Sequence, residues 1–265
     1  MDLDLKDNVG AVTGGSVGIG LAIARGHAAE GVHLALCARD AQRVREVAHE
    51  LSEEFGVQAI GVAADVSDTR GISTFTDAIE TTFCGADILI NNAGTGSDAT
   101  ILQAPDECWQ YCWDLHVMAA VRLARTLAPS MRRRGGGVIL HTASICASQP
   151  LGYEPIDNVT KAALVMFSTC LANERIADTI RVNTVNPGLV LTPDWQKTAR
   201  LLPAGTEHRA GKRIWTPSPG KPAPIGRFAS REEVANLFVF LCSPRASSCV
   251  GSTYSIDGGW LRVTT

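Results

Sequence analysis

The sequence predicts a single doubly wound α/β domain, one parallel sheet covered by helices on both faces. Three observations predict it. Short apolar runs alternate with longer stretches of helical spacing along the whole chain, which is the pattern of βαβ units. At 265 residues, with 45% hydrophobic and 19% charged residues, the chain can bury a sizeable core and lacks the composition of a disordered one. No repeat or low-complexity linker interrupts the alternation, so 1–265 reads as one domain.

Taken in order, NVGAVT near residue 10 is the first strand, and the turn TGGSVGIG leads into helical spacing at 18–30. VHLALC at 32–37 is the second strand, with helical spacing at 41–55 after it. QAIGVAA near residue 60 and DILINN at 87–92 flank a third helical stretch at 68–83. The stretch 106–134 reads as one long helix before the strand GVILHTAS at 137–144. YEPIDNVTK then opens a helix over 156–176. Pro155 suits a first helical position, and Asp157 falls in the first turn, where the helix dipole favours negative charge. IRVNTV at 180–185, helical spacing at 231–243 and TYSID at 253–257 close the series. Length and period separate the strands from the helices. Residues 193–224, rich in Pro and Gly, break the rhythm, and a connection of that length is usually functional.

Composition also excludes several functions. A net charge of −3 argues against a nucleic-acid-binding surface, which carries a basic excess. No apolar run approaches the ~20 residues that span a bilayer. The N-terminal MDLDLKDNVG has neither the basic nor the hydrophobic segment of a secretory signal, so a cytoplasmic protein is expected. Eight cysteines include no C-x-x-C pair. Cys108, Cys112 and His116 would share one helix face, but no fourth ligand is evident, so no metal site is read. Reduced, mostly buried thiols fit better.

The glycines of TGGSVGIG let the backbone turn tightly and approach a pyrophosphate seated on the following helix N-terminus. Their spacing, Gly14, Gly18 and Gly20, is wider than the usual dinucleotide fingerprint. With NNAG at 91–94, the chain here begins to resemble the classical short-chain dehydrogenase/reductases. The resemblance then runs nearly end to end. It takes in Ala64-Asp65-Val66, Ser144, Lys161, Asn186-Pro187-Gly188 with Thr192, GRFASREEVANLFVFLCS and IDGGW. It implies a Rossmann-like fold and an NADP(H)- or NAD(H)-dependent oxidoreductase acting on a small molecule. By that resemblance, Gly14, Ser16, Gly18, Ile19 and Gly20 cradle the phosphates, and Asp65 and Val66 flank the adenine. Asn92, Ala93 and Gly94 line the ribose and nicotinamide side. Pro187, Gly188, Val190 and Thr192 hold the nicotinamide carboxamide.

The end of the second strand selects the cofactor. An acidic residue at the tip would bond the ribose hydroxyls and repel a 2′-phosphate. Here the tip is Ala38, followed by Arg39, whose guanidinium offers a fork for phosphate. The reading favours NADP(H), with NAD(H) as the alternative. Asp40 either pairs with Arg39 or caps the helix beginning near Ala41.

At the chemical end the pattern breaks. In the family a tyrosine four residues before the lysine exchanges a proton with the substrate oxygen, the lysine lowers its pKa and binds the ribose, and the serine polarises that oxygen. An asparagine on the long preceding helix holds a water of the proton relay. This sequence keeps Ser144 and Lys161 but has Asp157 at the tyrosine position and His116 at the asparagine position. Beside an ammonium, Asp157 is expected to be ionised, able to accept a proton but not to donate one. His116 is either a proton shuttle with a near-neutral pKa or a polar residue satisfied inside a helix pair. Tyr153 lies too far from Lys161 to replace the tyrosine and reads as lining the substrate cleft.

The expectation is therefore an oxidoreductase interconverting a carbonyl and a secondary alcohol, impaired in proton donation. The alternatives are a member retuned to elimination, hydration or cyclisation, and a nucleotide-binding protein without turnover. The loop at 193–224 covers the substrate in the family. Its cationic residues, among them Lys197, Arg200 and Arg213, suit an anionic ligand or a solvated surface. Leu115, Val117, Met118, Val121 and Leu123 put apolar side chains on more than one face of a helix that family members pair across a two-fold axis. A homodimer or homotetramer is expected.

Overall fold

The computed structural model describes residues 2–97, 99–152, 154–193 and 223–263. Within them each apolar run forms a strand: β1 (Val9–Thr13), β2 (His33–Ala38), β3 (Ala59–Ala63), β4 (Ile88–Asn91), β5 (Gly137–Thr142), β6 (Ile180–Pro187) and β7 (Thr253–Ile256). The seven pair in the order β3-β2-β1-β4-β5-β6-β7, every pair parallel. Parallel strands need crossovers, and helices supply them. They are α1 (Gly18–Ala29), α2 (Ala41–Phe55), α3 (Thr69–Phe83), α4 (Asp106–Trp113), α5 (Ala119–Arg133), α6 (Pro155–Arg175) and α7 (Arg231–Cys242).

Successive strand residues point to opposite faces, which gives the sheet two cores. Val12, Leu36, Ile90 and Leu140 pack with Ile23 of α1, Val47 of α2 and Phe238 of α7. Ala11, Ala35, Leu89 and Ile139 face the other way, onto Phe75 and Ile79 of α3 and Leu123 of α5. Burial on both faces is why these strands read as continuous apolar runs. Strand order reverses between β1 and β4, and in such sheets the crevice beyond the strand C-termini at that point receives the ligand.

Two local features set up the site. Asp40 is the N-cap of α2, its carboxylate accepting from the Gln42 and Arg43 amides. The expected single helix over 106–134 is not continuous. Residues Asp114–Met118 form a π turn between α4 and α5, in which the Ala119 amide bonds back to the Asp114 carbonyl. One extra residue in that turn shifts the side-chain phase along the helix, and such turns recur at functional positions. His116 sits in its middle. Among the described residues, no helix is long and apolar enough to cross a membrane.

Candidate active site

The glycine turn after β1 is folded tightly onto the tip of β4. Gly14 and Gly20 require their missing side chains. Gly14 has φ +65°, and a Cβ at Gly20 would lie 2.1 Å from the Gly14 carbonyl oxygen and 2.5 Å from Asn92 Nδ2. Thr13 Oγ1 donates to the Ile90 carbonyl and accepts from the amides of Asn92 at 2.9 Å and Ala93 at 3.0 Å. Asn92 Nδ2 donates to the Thr13 carbonyl at 3.0 Å, and its Oδ1 accepts from Thr142 Oγ1 at 3.3 Å. Asn92 thus braces three strand tips with its side chain.

The N-terminus of α1 opens into this crevice. Its N-cap, Val17, offers no side-chain hydrogen bond, and no acidic residue occupies the first turn. An α-helix leaves its first amides without intrahelical partners, and the dipole favours an anion there. Ser16 is buried beneath, Ile19 is half-buried, and a Cβ at Gly18 would meet open space. The turn fits a diphosphate.

Arg39 follows β2 and is exposed, with Nη1 3.1 Å from the Tyr111 hydroxyl on α4. Asp40, spent on capping α2, does not compete for that guanidinium. Asp65 Oδ1 accepts from the Ser67 amide at 2.9 Å, shaping the turn after β3, and Val66 beside it is buried. Across the crevice, β6 ends at Pro187, and the Gly188 amide donates to the Ile256 carbonyl at 3.0 Å. A Cβ at Gly188 would come within 2.7 Å of Asp257. Val190 is buried and bridges to Ala229. Thr192 lies two residues further on.

The chemical end gathers on α6, β5 and the π turn. Lys161 is 8% exposed, and its Nζ donates to the Thr142 carbonyl at 3.0 Å. Ser144 begins the short 3-10 turn Ile145–Ala147, its Oγ accepting from the Cys146 amide at 3.3 Å. Asp157, one turn before Lys161, is 5% exposed, and its Oδ2 accepts from the Ser97 amide at 2.9 Å. Gly94 lies between the two basic groups: a Cβ there would be 3.4 Å from Lys161 Nζ and 3.5 Å from His116 Nε2.

Burial corrects two electrostatic expectations. The Asp157 carboxyl is not held below the ordinary carboxylate range by Lys161. Desolvation pushes it up, against the opposing pull of the Ser97 amide and the Lys161 charge. Lys161 is likewise lowered by burial. His116 is far from near-neutral: burial, helped by the Lys161 charge, lowers its pKa to about 2. Its Nε2 accepts from the Thr95 amide at 3.2 Å, and its Nδ1 lies 2.9 Å from Thr160 Oγ1. With Nε2 accepting, Nδ1 carries the proton of a neutral ring. Thr160 Oγ1 passes its own proton to the Ile156 carbonyl at 2.9 Å.

The structure therefore brings Ser144, Asp157, Lys161 and His116 to one end of the crevice and the glycine turn and Arg39 to the other. Tyr153 and most of the loop at 193–224 lie outside the described residues. Sequence reasoning missed Tyr111, Ser97 and Thr95. Their partners are distant in the chain, and no spacing signals such contacts. Among the described residues, no group of three or more His, Cys, Asp or Glu could hold a metal. Cys108 instead lies 3.6 Å from Ser97 Oγ.

Residues 14–261 match the family described as enoyl-(acyl carrier protein) reductase. An uncharacterized oxidoreductase of Bacillus subtilis (strain 168) is 32% identical over 272 residues, 99% of each chain. The chain belongs to the short-chain dehydrogenase/reductase family. Among its solved relatives, the L-sorbose reductase from Gluconobacter frateurii, complexed with NADPH and L-sorbose, is 53% identical with a TM-score of 0.92, covering 100% of both chains. A short chain oxidoreductase from Pseudomonas aeruginosa PAO1, which contains an atypical catalytic center, is 30% identical with a TM-score of 0.88, also over 100% of both chains. The short-chain dehydrogenase/reductase described here carries Asp157 one turn before Lys161 on α6.

Proposed function

We propose that this protein is an NADP(H)-dependent oxidoreductase that interconverts a ketone of the sugar or polyol class and its secondary alcohol. The observation that carries this reading is the full-length likeness, at 53% identity, to a reductase that holds NADPH and L-sorbose. Arg39 supports the cofactor choice, because a guanidinium at the strand tip favours a 2′-phosphate over bare ribose hydroxyls. The α1 amides, with Gly14, Ser16, Gly18, Ile19 and Gly20, would hold the diphosphate. Asp65 and Val66 would flank the adenine, and Asn92, Ala93, Gly94 and Lys161 the ribose side. Pro187, Gly188, Val190 and Thr192 would hold the nicotinamide amide.

When bound, the nicotinamide supplies or takes up the hydride. The chain's own residues then deal with the substrate oxygen. Ser144 Oγ accepts from Cys146, which leaves its hydroxyl proton to polarise a carbonyl. His116, neutral and held on both ring nitrogens, is a positioning residue that ties the 94–97 loop to α6. Asp157 is shorter than a tyrosine and accepts from Ser97, so it serves as base better than as acid. Alcohol oxidation suffers less than ketone reduction. The carboxylate at 157 also favours a second reading, non-redox chemistry such as elimination, on a retained cofactor fold. The chain is read as one cytoplasmic domain that assembles as a homodimer or homotetramer. Trp113 on α4 and Val159 and Met166 on α6 are 39%, 51% and 65% exposed, an apolar surface suited to a second copy.

The test is NADPH absorbance with L-sorbose and a panel of other ketones. Ketone-dependent loss of absorbance supports the reading. Substrate consumption with no change in cofactor redox state would replace it with the non-redox alternative.

A further inference from the structure

We propose that Arg122 is a positioning residue for the cofactor, fixing the turn that flanks the adenine by tying it to the π turn. The inference rests on the reading that sets the adenine beside Asp65 and Val66, and not on ketone reduction. Arg122 lies half-buried on α5 and divides its guanidinium between two partners. Its Nη1 donates to the Ser67 carbonyl at 2.9 Å, and its Nη2 donates to Asp114 Oδ1 at 2.8 Å.

Ser67 belongs to the turn after β3. Its amide donates to Asp65 Oδ1 at 2.9 Å, so a single residue meets both the Asp65 carboxylate and the guanidinium. The ends of the turn are fixed separately. The Ala64 amide donates to the Ala38 carbonyl at 3.0 Å, and Asp68 caps α3 by accepting from the Gly71 amide at 2.6 Å. Gly71 in turn packs on the Asp65 backbone, where a Cβ would lie 1.8 Å from the carbonyl oxygen. Arg122 pins the middle of the turn from another helix.

The other arm is anchored as firmly. Asp114 opens the π turn, and its Oδ2 accepts from Gln110 Nε2 at 2.7 Å. In a regular α-helix, residues eight apart point about 80° away from each other. The extra residue of the π turn returns Asp114 and Arg122 to nearly one face. The side chains are 21% and 23% exposed, so salt screens the pair less than it would a surface one. An ion pair serving the helix alone would need only Asp114. The second arm, which reaches Ser67 from 55 residues away, is what points to the cofactor.

Titration of intrinsic fluorescence on the full chain tests this with three ligands: NADPH, NADH and reduced nicotinamide mononucleotide, which lacks the adenosine half. Arg122→Met keeps an unbranched stem and removes both arms. It should bind NADPH and NADH about tenfold more weakly, by the same factor, and the mononucleotide as well as the unmodified protein does. Tenfold corresponds to about 1.4 kcal/mol, close to one hydrogen bond from a charged group. Unchanged affinities overturn the proposal. Equal losses for all three ligands would mark a general loosening of the crevice, and a loss confined to NADPH a charge acting on the 2′-phosphate; either also overturns it. If Arg122→Met does not fold, Arg122→Lys, which can keep the ion pair with Asp114 but gives up the fork, carries the same comparison with the same expected pattern. A protein that shows this pattern yet reduces no ketone keeps the inference and loses the substrate reading.

Discussion

At position 39, one residue past the strand tip where an acidic side chain would repel a 2′-phosphate, stands a guanidinium, and its acidic neighbour is occupied elsewhere. Asp40 accepts from two amides of α2, so Arg39 remains available, steadied by Tyr111. Losing a charge-assisted phosphate contact costs roughly 1.5–3 kcal/mol, or about one to two decades of affinity. Arg39→Ala should therefore bind NADPH about ten- to a hundredfold more weakly and leave NADH affinity nearly unchanged. Titration of intrinsic fluorescence reads both, and equal affinities for the two cofactors in the unmodified protein would contradict the assignment. Arg39 was legible because its position at a strand tip carries meaning in one dimension. Tyr111 was not, since a contact spanning 72 residues leaves no trace in spacing. The same holds for the Ser97 amide on Asp157, and for the burial that drives His116 down to about 2.

Among the elements, the turn between β1 and α1 has the least tolerance. A Cβ at Gly20 would strike the Gly14 carbonyl oxygen, a backbone atom, at 2.1 Å. The turn must open to admit it, which pulls the Thr13–Asn92 bonds apart. Overpacking of this kind costs about 1–3 kcal/mol, so Gly20→Ala should lower the urea midpoint and weaken NADPH binding together. A variant with unchanged midpoint and affinity would show that the turn is not held as described. Strands and most helices were legible from period and length, because both faces of the sheet are buried and apolar runs stay unbroken. The π turn was not. Its sequence, DLHVM, keeps an acceptable helical pattern, and only the backbone bond from Ala119 to Asp114 reveals the shift that aims His116 at Gly94. Read as part of one helix, His116 was either a near-neutral proton shuttle or a polar residue satisfied inside a helix pair, and its burial against Thr160 of α6 favours the second.

Taken whole, the molecule buries histidines that must stay neutral. His27 in α1 is 1% exposed, its Nδ1 bonded to the Ile23 carbonyl at 2.8 Å, and burial lowers its pKa to about 4. The unfolded chain binds a proton there near 6.5, the folded one only below about 4. Stability is thus present above about pH 6.5 and is lost as pH falls toward 4, on the order of 3 kcal/mol for this residue. His27→Gln should show a shallower fall in denaturant midpoint between pH 7 and 5 than the unmodified protein, and a parallel fall would refute the linkage. The cofactor crevice, by contrast, owes little to residue 157, since the glycine turn, Arg39, Asn92 and Gly188 are each held by contacts elsewhere. Substitution at 157 should therefore change turnover and spare cofactor affinity. The most direct measurement is single-turnover oxidation of NADPH by L-sorbose, compared between the unmodified protein and Asp157→Tyr. The expected result is unchanged NADPH affinity with reduction about a hundred- to ten-thousand-fold faster in the tyrosine variant, and dependent on both Ser144 and Lys161. A tyrosine variant that binds NADPH equally well but reduces no faster would contradict the account.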